Sequence, residues 1–364
     1  MTIRVPLVEK RDASYDILIS SGLVRQVDRL LREYCPAAAY ALISDSHVGK
    51  LYGESIAKQI VGAGHQVELL TFPAGEWNKT RDTWATLSDR MLAARLGRDS
   101  AVIALGGGVV GDVAGFVAAT YLRGVPLVQV PTSLLAMIDS SIGGKAAVDV
   151  PAGKNLLGAF HQPRVVIIDL DLLDSLSNVQ LAAGLAEAVK HGVIADAEYF
   201  AFLEREQSAI VAKDRSALER VVRRSVEIKA DVVAQDEREA GRRAILNFGH
   251  TVGHAIEATS KYEVMHGEAV AIGMTYEARL AEDLHIATGG TASRIAKLLG
   301  ALKLPLERPD ETPVDDLIEA MRGDKKARRG AIRFALPRQI GTPHGDAKTG
   351  WTVPVEEERL RGLF

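Results

Sequence analysis

The first half of the chain alternates short apolar runs with longer stretches in which apolar residues recur every three or four positions. Short runs rich in β-branched residues predict strands, and the longer periodic stretches predict helices. The predicted strands are residues 3–7, 15–19, 38–44, 66–72, 100–105, 127–130 and 165–169, and the predicted helices are 24–34, 52–61, 80–95 and a segment after Gly111. This alternation is typical of βαβ units around a largely parallel sheet.

The pattern changes after residue 174. From residue 178 to residue 322 the periodicity is almost wholly helical, as at 216–233 and 270–283, and only residues 331–336 predict a strand. A chain of 364 residues is long enough for two domains, each with its own core. We therefore predict an α/β protein in which a Rossmann-like parallel-sheet domain, residues 1–178, is followed by a mainly α-helical domain, residues 179–364.

The composition is that of an ordinary globular protein, with 47% apolar and 25% charged residues. A net charge of −3 argues against a general nucleic-acid or membrane-surface partner. Cys35 is the one cysteine, so a disulfide within the chain cannot form and a reducing compartment is expected. Because the first residues are charged and contain no long apolar run, the sequence predicts a cytoplasmic protein.

Three of the nine histidines fall within residues 247–269. His250 and His254 are four residues apart and would share one face of a helix. His266 follows a short break, where a second helix is predicted to begin, so a folded-back helix pair could bring all three imidazoles together. Two interpretations remain open at this point, because the stretch lacks the glutamate of a zincin motif: a divalent metal site, or two core histidines and one loop histidine.

A glycine-rich turn follows the strand predicted at residues 100–105. Gly106, Gly108 and Gly111 fit the pattern G-x-G-x-x-G between a strand and a helix, which suits a bound pyrophosphate. The acidic residue expected about twenty positions later to hold a ribose is missing. Asp45, at the end of another predicted strand, is a candidate for that role, and a tight glycine turn without a nucleotide is the alternative.

Residues 139–155 form a loop-rich segment that contains two lysines, Lys145 and Lys154. It is not a P-loop, because the first glycine of that motif is replaced by Asp139 and the residue after Lys145 is alanine. Lysines among glycines could bind a phosphate or carboxylate, although solvated surface lysines are the commoner outcome. The basic run at 323–329 allows the same two interpretations.

Glu187 and Lys190 are three residues apart on a predicted helix with apolar neighbours, so they share one face. The carboxylate could be a metal ligand, or the two residues could form an ordinary surface ion pair. Arg243 lies seven residues before His250 and could clamp a carboxylate in a bidentate manner. Its alternative is a surface pair with Glu237 or Glu239, and Arg242 beside it is expected to point elsewhere.

Six segments in order, 106–112, 139–145, 153–155, 187–190, 247–254 and 266–268, resemble the motifs of the 3-dehydroquinate synthase family, in the sugar-phosphate cyclase superfamily. The resemblance extends from about residue 45 to residue 326, and the tail after Ile340 adds nothing to it. It implies a two-domain enzyme, usually a homodimer, that holds NAD and one divalent metal, zinc or cobalt, between its domains. No nucleic-acid or membrane partner is implied.

The resemblance also implies a reaction, the second step of the shikimate pathway towards chorismate and the aromatic amino acids. In this phosphate lyase reaction, 3-deoxy-D-arabino-heptulosonate 7-phosphate becomes 3-dehydroquinate and phosphate. NAD takes a hydride and returns it after β-elimination of phosphate, and ring opening and an aldol closure follow. Three rivals are weighed: a cyclase for a substrate without a carboxylate, a glycerol dehydrogenase-type enzyme that releases NADH, and a non-catalytic nucleotide-binding protein.

Residue by residue, the resemblance implies that Glu187, His250 and His266 hold the metal. The implied NAD contacts are Asp45, Glu76, Lys79, Gly108, Val109, Val110, Gly111, Asp112, Thr132, Ser133, Asp139, Lys145 and Lys154. The implied catalytic and substrate-binding residues are Lys145, Asn155, Lys190, Lys229, Arg243, Asn247, His254 and Lys326, together with Arg123 from a second subunit. His47 stands where family members often have a small polar residue, which puts only a minor adenosine contact in question.

Overall fold

A parallel β-sheet organises the amino-terminal half of the chain. The computed structural model describes residue 4 and residues 12–261, 263–309, 312–323 and 331–364. Its strands in chain order are β1 (Asp16–Ser20), β2 (Ala39–Asp45), β3 (Gln66–Phe72), β4 (Ser100–Gly106), β5 (Leu127–Pro131), β6 (Lys145–Val150), β7 (Gly153–Phe160), β8 (Val165–Asp169), β9 (Ile332–Phe334), β10 (Pro337–Gln339), β11 (Thr342–Pro343) and β12 (Val353–Val355). Of the strand predicted at 3–7, only residue 4 is described. Lys326 and the rest of the basic run at 324–329 lie outside the described residues.

Helices cover the sheet and form most of the second half. They are α1 (Val27–Tyr34), α2 (Ser46–Val48), α3 (Glu54–Gly62), α4 (Arg81–Ala93), α5 (Gly108–Thr120), α6 (Asn178–Ala195), α7 (Ala197–Val211), α8 (Arg215–Gln235), α9 (His250–Thr259), α10 (His266–Asp283), α11 (Thr291–Ala301), α12 (Val314–Gly323) and α13 (Glu357–Arg361). Among the described residues, no helix is both long enough and apolar enough to cross a membrane. The predicted fold class, a parallel sheet followed by a mainly helical half, is confirmed.

The main sheet has six strands in the order β1-β8-β5-β4-β2-β3, and every pairing within it is parallel. All residues of β4 and of β8 are buried, because helices cover both faces of the sheet. Parallel strands end at a common edge, so the residues that follow β2, β4 and β5 lie close together. Ligands of open α/β sheets bind at that edge.

The loop-rich interpretation of residues 139–155 is wrong in part, because β6 and β7 pair there as an antiparallel hairpin. Ala146 and Val148 of β6 are buried, and an added Cβ on Gly115 of α5 would lie 2.8 Å from the Ala146 side chain. The hairpin therefore packs closely on α5, while β7 exposes Leu156 and Leu157. Neither strand was predicted, because the segment is rich in glycine and its apolar and polar residues do not alternate over a long run.

The architecture changes at Asn178, where α6 begins, although the apolar core continues across this point. One cluster of buried side chains includes Ile167 of β8, Leu134 after β5, and Leu185 of α6. The prediction of a single strand after residue 178 is wrong, since β10, β11 and β12 form in addition to β9. β12 pairs with β9, and Phe364 packs on Tyr276 of α10 with ring centroids 5.1 Å apart.

Candidate active site

Helices α9 and α10 fold back on each other and bring the three predicted histidines together. The ring centroids lie 5.2 Å apart for His250 and His254, 5.3 Å for His250 and His266, and 6.2 Å for His254 and His266. His266 is the first residue of α10 rather than a loop residue. The interpretation as two core histidines and one unrelated loop histidine is therefore wrong.

Glycine and a buried carboxylate fix the start of α9. Gly249 adopts a left-handed conformation with φ of 81°, which brings His250 into the first helical position. Glu277 of α10 accepts hydrogen bonds from the Gly249 amide at 2.7 Å and the Val252 amide at 3.0 Å, so it caps α9 from the neighbouring helix. A side chain at Gly273 would collide with the Gly249 carbonyl, which is why the two helices can approach so closely.

Glu187 of α6 completes the histidine cluster from the third side. Its Oε1 atom lies 3.5 Å from Nε2 of His250 and 3.3 Å from Nε2 of His266. Ligand atoms at about 2.0 to 2.2 Å from a tetrahedral zinc are roughly 3.3 to 3.6 Å apart, which matches these separations. Within the described residues, the buried Oε1 atom of Glu187 has no partner in hydrogen-bonding geometry, and the Oε2 atom has the ion pair with Lys190. A carboxylate and two imidazoles of this kind fit a divalent metal.

Lys190 forms a buried ion pair with Glu187, so the surface-pair interpretation is wrong. Burial favours the neutral form of Glu187, but Lys190 and His250 outweigh this effect and hold the pKa of the carboxyl well below its usual range. Burial and Lys190 lower the pKa of His250. His266 shows the opposite shift: burial works against its charge, but Glu257 and Glu187 raise its pKa to about 10.

A second cluster of charges surrounds Asp139, in the turn after β5. Asp139 Oδ1 lies 2.5 Å from Nζ of Lys229, 3.8 Å from Nζ of Lys190 and 3.9 Å from Nε2 of His191. Burial lowers the pKa of the Lys229 ammonium to about 8, although Asp139 acts in the opposite direction. Burial and Lys190 lower the pKa of His191 to about 3, so this imidazole is neutral at physiological pH.

Glu239, on the loop after α8, joins two of the predicted substrate-binding residues. It forms an ion pair with Lys145 and accepts a hydrogen bond from Asn247 Nδ2 at 2.6 Å. Arg243 is buried beside them, and its guanidinium donates to the carbonyls of Gly143 and Glu237. The surface-pair interpretation of Arg243 is therefore wrong.

The hairpin supplies a third group of charges. Lys154 Nζ lies 3.0 Å from Oε1 of Glu76 and 3.0 Å from Oε1 of Glu257 on α9. Lys79 contacts Asp112 of α5 and donates to Asn155 Oδ1 at 2.6 Å. The predicted NAD and substrate contacts in this region therefore form two neighbouring groups, and Lys79 and Glu76, expected as a pair, have different direct partners.

The glycine-rich turn connects β4 to α5, as predicted, but α5 begins at Gly108 rather than after Gly111. No side chain of the described residues caps its start, so the first amides, through Val109 and Val110, remain available to an anion. Thr132 and Ser133 follow β5 beside this turn, where the Thr132 amide donates to the Gly106 carbonyl at 2.9 Å. These features fit a pyrophosphate.

Asp45 ends β2 next to β4, at the same edge of the sheet. Its Oδ1 atom accepts the amides of His47 and Val48, each at 2.8 Å, and thereby caps α2. Arg123 is not brought to the cluster: it is exposed in the turn after α5. A 13-residue helix is about 20 Å long, so α5 separates Arg123 from the glycine turn by that distance.

Four buried or partly buried residues near the cluster were not predicted: His191, Glu239, Glu257 and Glu277. Glu257 had a signal in the sequence, since it lies three residues after His254 and seven after His250, on the same helical face. The sequence marks Glu239 only as an alternative partner for Arg243. Glu277 had no signal, because its contacts with Gly249 and Val252 span 28 and 25 residues.

Comparison with known proteins gives consistent matches over nearly the whole chain. Family models described as 3-dehydroquinate synthase N-terminal and 3-dehydroquinate synthase C-terminal match residues 69–183 and 184–327. The 3-dehydroquinate synthase of Symbiobacterium thermophilum is 48% identical over 336 residues, which cover 92% of this chain and 94% of that protein.

Solved structures of two cyclases share the fold at 29–30% identity. One is ValA, a 2-epi-5-epi-valiolone synthase from Streptomyces hygroscopicus subsp. jinggangensis 5008 with NAD+ and Zn2+ bound; it has a TM-score of 0.88 and 30% identity, and the match covers 99% of this chain and 98% of that one. The other is 2-deoxy-scyllo-inosose synthase complexed with carbaglucose-6-phosphate, NAD+ and Co2+, with a TM-score of 0.86, 29% identity and 95% coverage of each chain.

Proposed function

This chain belongs to the 3-dehydroquinate synthase family, and on that premise we propose that the cluster around Glu187 is its active site. The enzyme converts 3-deoxy-D-arabino-heptulosonate 7-phosphate into 3-dehydroquinate and phosphate, and it depends on NAD and a divalent metal, zinc or cobalt. The observation that carries the site assignment is the convergence of Glu187, His250 and His266 from three helices on one point.

We assign the metal to these three residues. A metal held by one carboxylate and two imidazoles keeps open positions, and its bonding requires the lone pair of each Nε2 atom. The ionised state of Glu187 suits this role, because Lys190 and His250 stabilise the charge. His254 lies within the same ring cluster and is assigned to the substrate rather than to the metal.

The cations and amides around the cluster are assigned to the polar and anionic groups of the substrate. Lys145, Asn155, Lys229 and Asn247 would meet the phosphate and the hydroxyl groups, and the buried Arg243 would hold the carboxylate. Lys190 lies between Glu187 and Asp139, where its ammonium can stabilise charge that develops on substrate oxygens. Lys326 has the same assignment from the sequence, but it lies outside the described residues.

NAD is assigned to the edge of the sheet. Its pyrophosphate would contact the amides of residues 108–112, and its ribose the Asp45 carboxylate, while Thr132, Ser133, Glu76 and Lys79 would line its path. Asp139, Lys145 and Lys154 would lie near the nicotinamide. When bound, NAD supplies a hydride acceptor that returns the hydride within one turnover, and the metal polarises substrate oxygens.

The chain's own residues chiefly position the substrate and hold its charge. Lys145 and Lys229 each already pair with a carboxylate, so a substrate anion enters by replacing those carboxylates rather than by meeting bare charges. We further propose that residues 1–178 bind NAD and residues 179–364 bind metal and substrate, and that the enzyme is a cytoplasmic homodimer.

Phosphate release tests this function. The protein is freed of metal with a chelator, supplied with zinc or cobalt and with catalytic NAD, and then incubated with the heptulosonate phosphate. We expect stoichiometric phosphate without accumulation of reduced nicotinamide, and no turnover before metal is returned. The His266→Ala variant should lose both metal and turnover.

Two outcomes would contradict parts of the assignment. Steady growth of the absorbance of reduced nicotinamide in proportion to product would favour the dehydrogenase rival. Stoichiometric metal and full activity in His266→Ala would leave the enzyme activity standing but remove this residue from the metal ligands.

A further inference from the structure

Glu257 is a buried carboxylate for which the reaction, as described above, gives no role. It lies on α9, and only 2% of its surface is exposed. One oxygen, Oε2, lies 3.3 Å from Nδ1 of His266, and the other, Oε1, accepts from Lys154 Nζ at 3.0 Å. Each oxygen therefore has a partner from a different part of the fold, α10 on one side and the β6–β7 hairpin on the other.

The two nitrogens of the His266 ring face two carboxylates. Nδ1 faces Glu257, and Nε2 faces Oε1 of Glu187 at 3.3 Å. An ionised carboxylate only accepts hydrogen bonds, so in the metal-free protein each ring nitrogen carries a proton beside the carboxylate it faces. A metal that binds at Nε2 takes the place of the proton there, and the contact with Glu257 keeps the remaining proton on Nδ1. The lone pair is then on Nε2, the atom that faces Glu187.

Given the metal ligands proposed above, we propose that Glu257 is a positioning residue that holds the His266 ring in the metal-binding tautomer and orientation. Lys154 keeps the carboxylate in place, because its ammonium lies between Glu257 and Glu76, each at 3.0 Å. Carboxylates behind metal-bound histidines raise the basicity of the ligand, and their loss typically costs about 10- to 100-fold in metal affinity.

Glutamine at this position makes a sharp test, because it has one acceptor and one donor group. The Lys154 ammonium requires the acceptor, so the amide of Glu257→Gln would turn its NH2 group towards His266. Nδ1 must then accept, and the proton moves to Nε2, where it blocks the lone pair. The side-chain size is unchanged, so a role in packing alone predicts no effect on metal binding.

The measurement is a titration of the metal-free full-length protein with Co2+, followed by visible absorption. We expect Glu257→Gln to bind Co2+ about 10- to 100-fold more weakly than the wild type, with an unchanged melting temperature of the metal-free protein. Glu263→Gln is the matched control, since Glu263 is exposed and lies three residues before His266. Its affinity should equal that of the wild type.

A double variant separates positioning from a general loss of charge. With Lys154→Met, the glutamine oxygen no longer has to face the ammonium and can accept from Nδ1. The Co2+ affinity of Glu257→Gln/Lys154→Met should therefore partly recover relative to Glu257→Gln, and a further loss instead of recovery would overturn the proposal.

The Co2+ affinities of two variants distinguish the positioning role of Glu257 from the assignment of His266 as a metal ligand. Undiminished Co2+ affinity in Glu257→Gln, with affinity lost in His266→Ala, overturns the positioning role alone. Undiminished affinity in His266→Ala overturns the ligand assignment itself. If Glu257→Gln does not fold, Glu257→Asp, which keeps the charge on a shorter side chain, gives the deciding comparison: weaker Co2+ binding supports the proposal and unchanged binding rejects it.

Discussion

Arg243 and Arg242 are adjacent in the chain but lie in different surroundings. Arg243 is 2% exposed and faces the loop between Asp139 and Lys145 through the Gly143 carbonyl, whereas Arg242 pairs with Asp231 at 3.4 Å on the surface. Losing a carboxylate clamp from a desolvated site should cost on the order of 2 to 5 kcal/mol. We therefore predict that Arg243→Ala lowers kcat/KM on the heptulosonate phosphate by about thirtyfold to several thousandfold.

Arg242→Ala is the control for this measurement. An exposed pair contributes roughly 0 to 1 kcal/mol, so this variant should be nearly silent. Metal and NAD content are measured in both variants to show that the site is otherwise intact. Equal and small losses would remove Arg243 from the site and weaken the choice of a carboxylate-bearing substrate.

The lowered pKa of Lys229 predicts that kcat/KM depends on pH. This pKa lies at about 8, lowered by burial, and Asp139, Lys190 and Arg243 are the charged groups that act on it. The ammonium is charged below this pH and neutral above it, so binding of a substrate anion should weaken as pH rises through about 8. Because kcat/KM reports ionisations of the free enzyme, we expect it to fall over that range.

The Lys229→Arg variant checks the source of that fall. Arginine stays charged throughout, so the alkaline decline of kcat/KM should move to higher pH even if the maximum is lower. An unchanged pH profile in Lys229→Arg would assign the decline to another group.

For single residues, the sequence predicted which side chains lie in the site but not which of them contact each other. The spacing of His250 and His254 was enough to place two rings together. The partners of Lys145 and Lys229 lie 94 and 90 residues away in the chain, at Glu239 and Asp139. Local periodicity holds no information about contacts over such separations.

Among the elements, α9 depends on a cap that it does not itself carry. Glu277 of α10 accepts the Gly249 and Val252 amides, so Glu277→Ala would leave two buried donors unpaired. We predict a loss of about 2 to 4 kcal/mol in the free energy of unfolding of the metal-free protein, measured in urea.

Asp283→Ala is a suitable comparison, because Asp283 is exposed at the end of the same helix. Its effect should stay within about 0.5 kcal/mol. If both variants unfolded at the same urea concentration as the wild type, the start of α9 would not depend on the Glu277 cap.

The wholly buried strands of the sheet were predicted accurately. β4 and β8 agree with the prediction to within one residue, because a strand buried on both faces is a continuous apolar run. The β6–β7 hairpin escaped prediction because its second strand is largely exposed and rich in glycine, so neither periodicity nor apolarity marks it. Its turn and register follow from packing on α5.

For the whole molecule, the role that the family resemblance implies for Arg123 requires an active site shared between two subunits. Arg123 is exposed at the far end of α5 from the glycine turn, so a substrate contact from this residue would be made in the partner's site. We predict that Arg123→Ala and Glu187→Gln are each inactive but that a mixture of the two regains activity. With random exchange of subunits in a dimer, one site in four is intact, which gives about a quarter of wild-type activity.

The mixture must be denatured and refolded together so that subunits exchange, and separately refolded samples that are then combined serve as the control. Differently tagged subunits show whether mixed dimers have formed. If mixed dimers form but activity does not return after joint refolding, Arg123 does not contribute to the partner's site.

The pairing of Lys145 and Lys229 with Glu239 and Asp139 has a consequence for how the enzyme selects its substrate in a cell. Free phosphate and other small anions are abundant there, and a bare pocket of lysines would be filled by them. With internal carboxylates already in place, an ion that replaces only one of them gains little, because it exchanges one charge pair for another. A substrate that carries a phosphate, a carboxylate and metal-binding hydroxyl groups on one molecule replaces both carboxylates in a single binding event, so it loses its freedom of motion only once. Inorganic phosphate should accordingly be a weak competitor, and the site stays open to the one molecule that matches it as a whole.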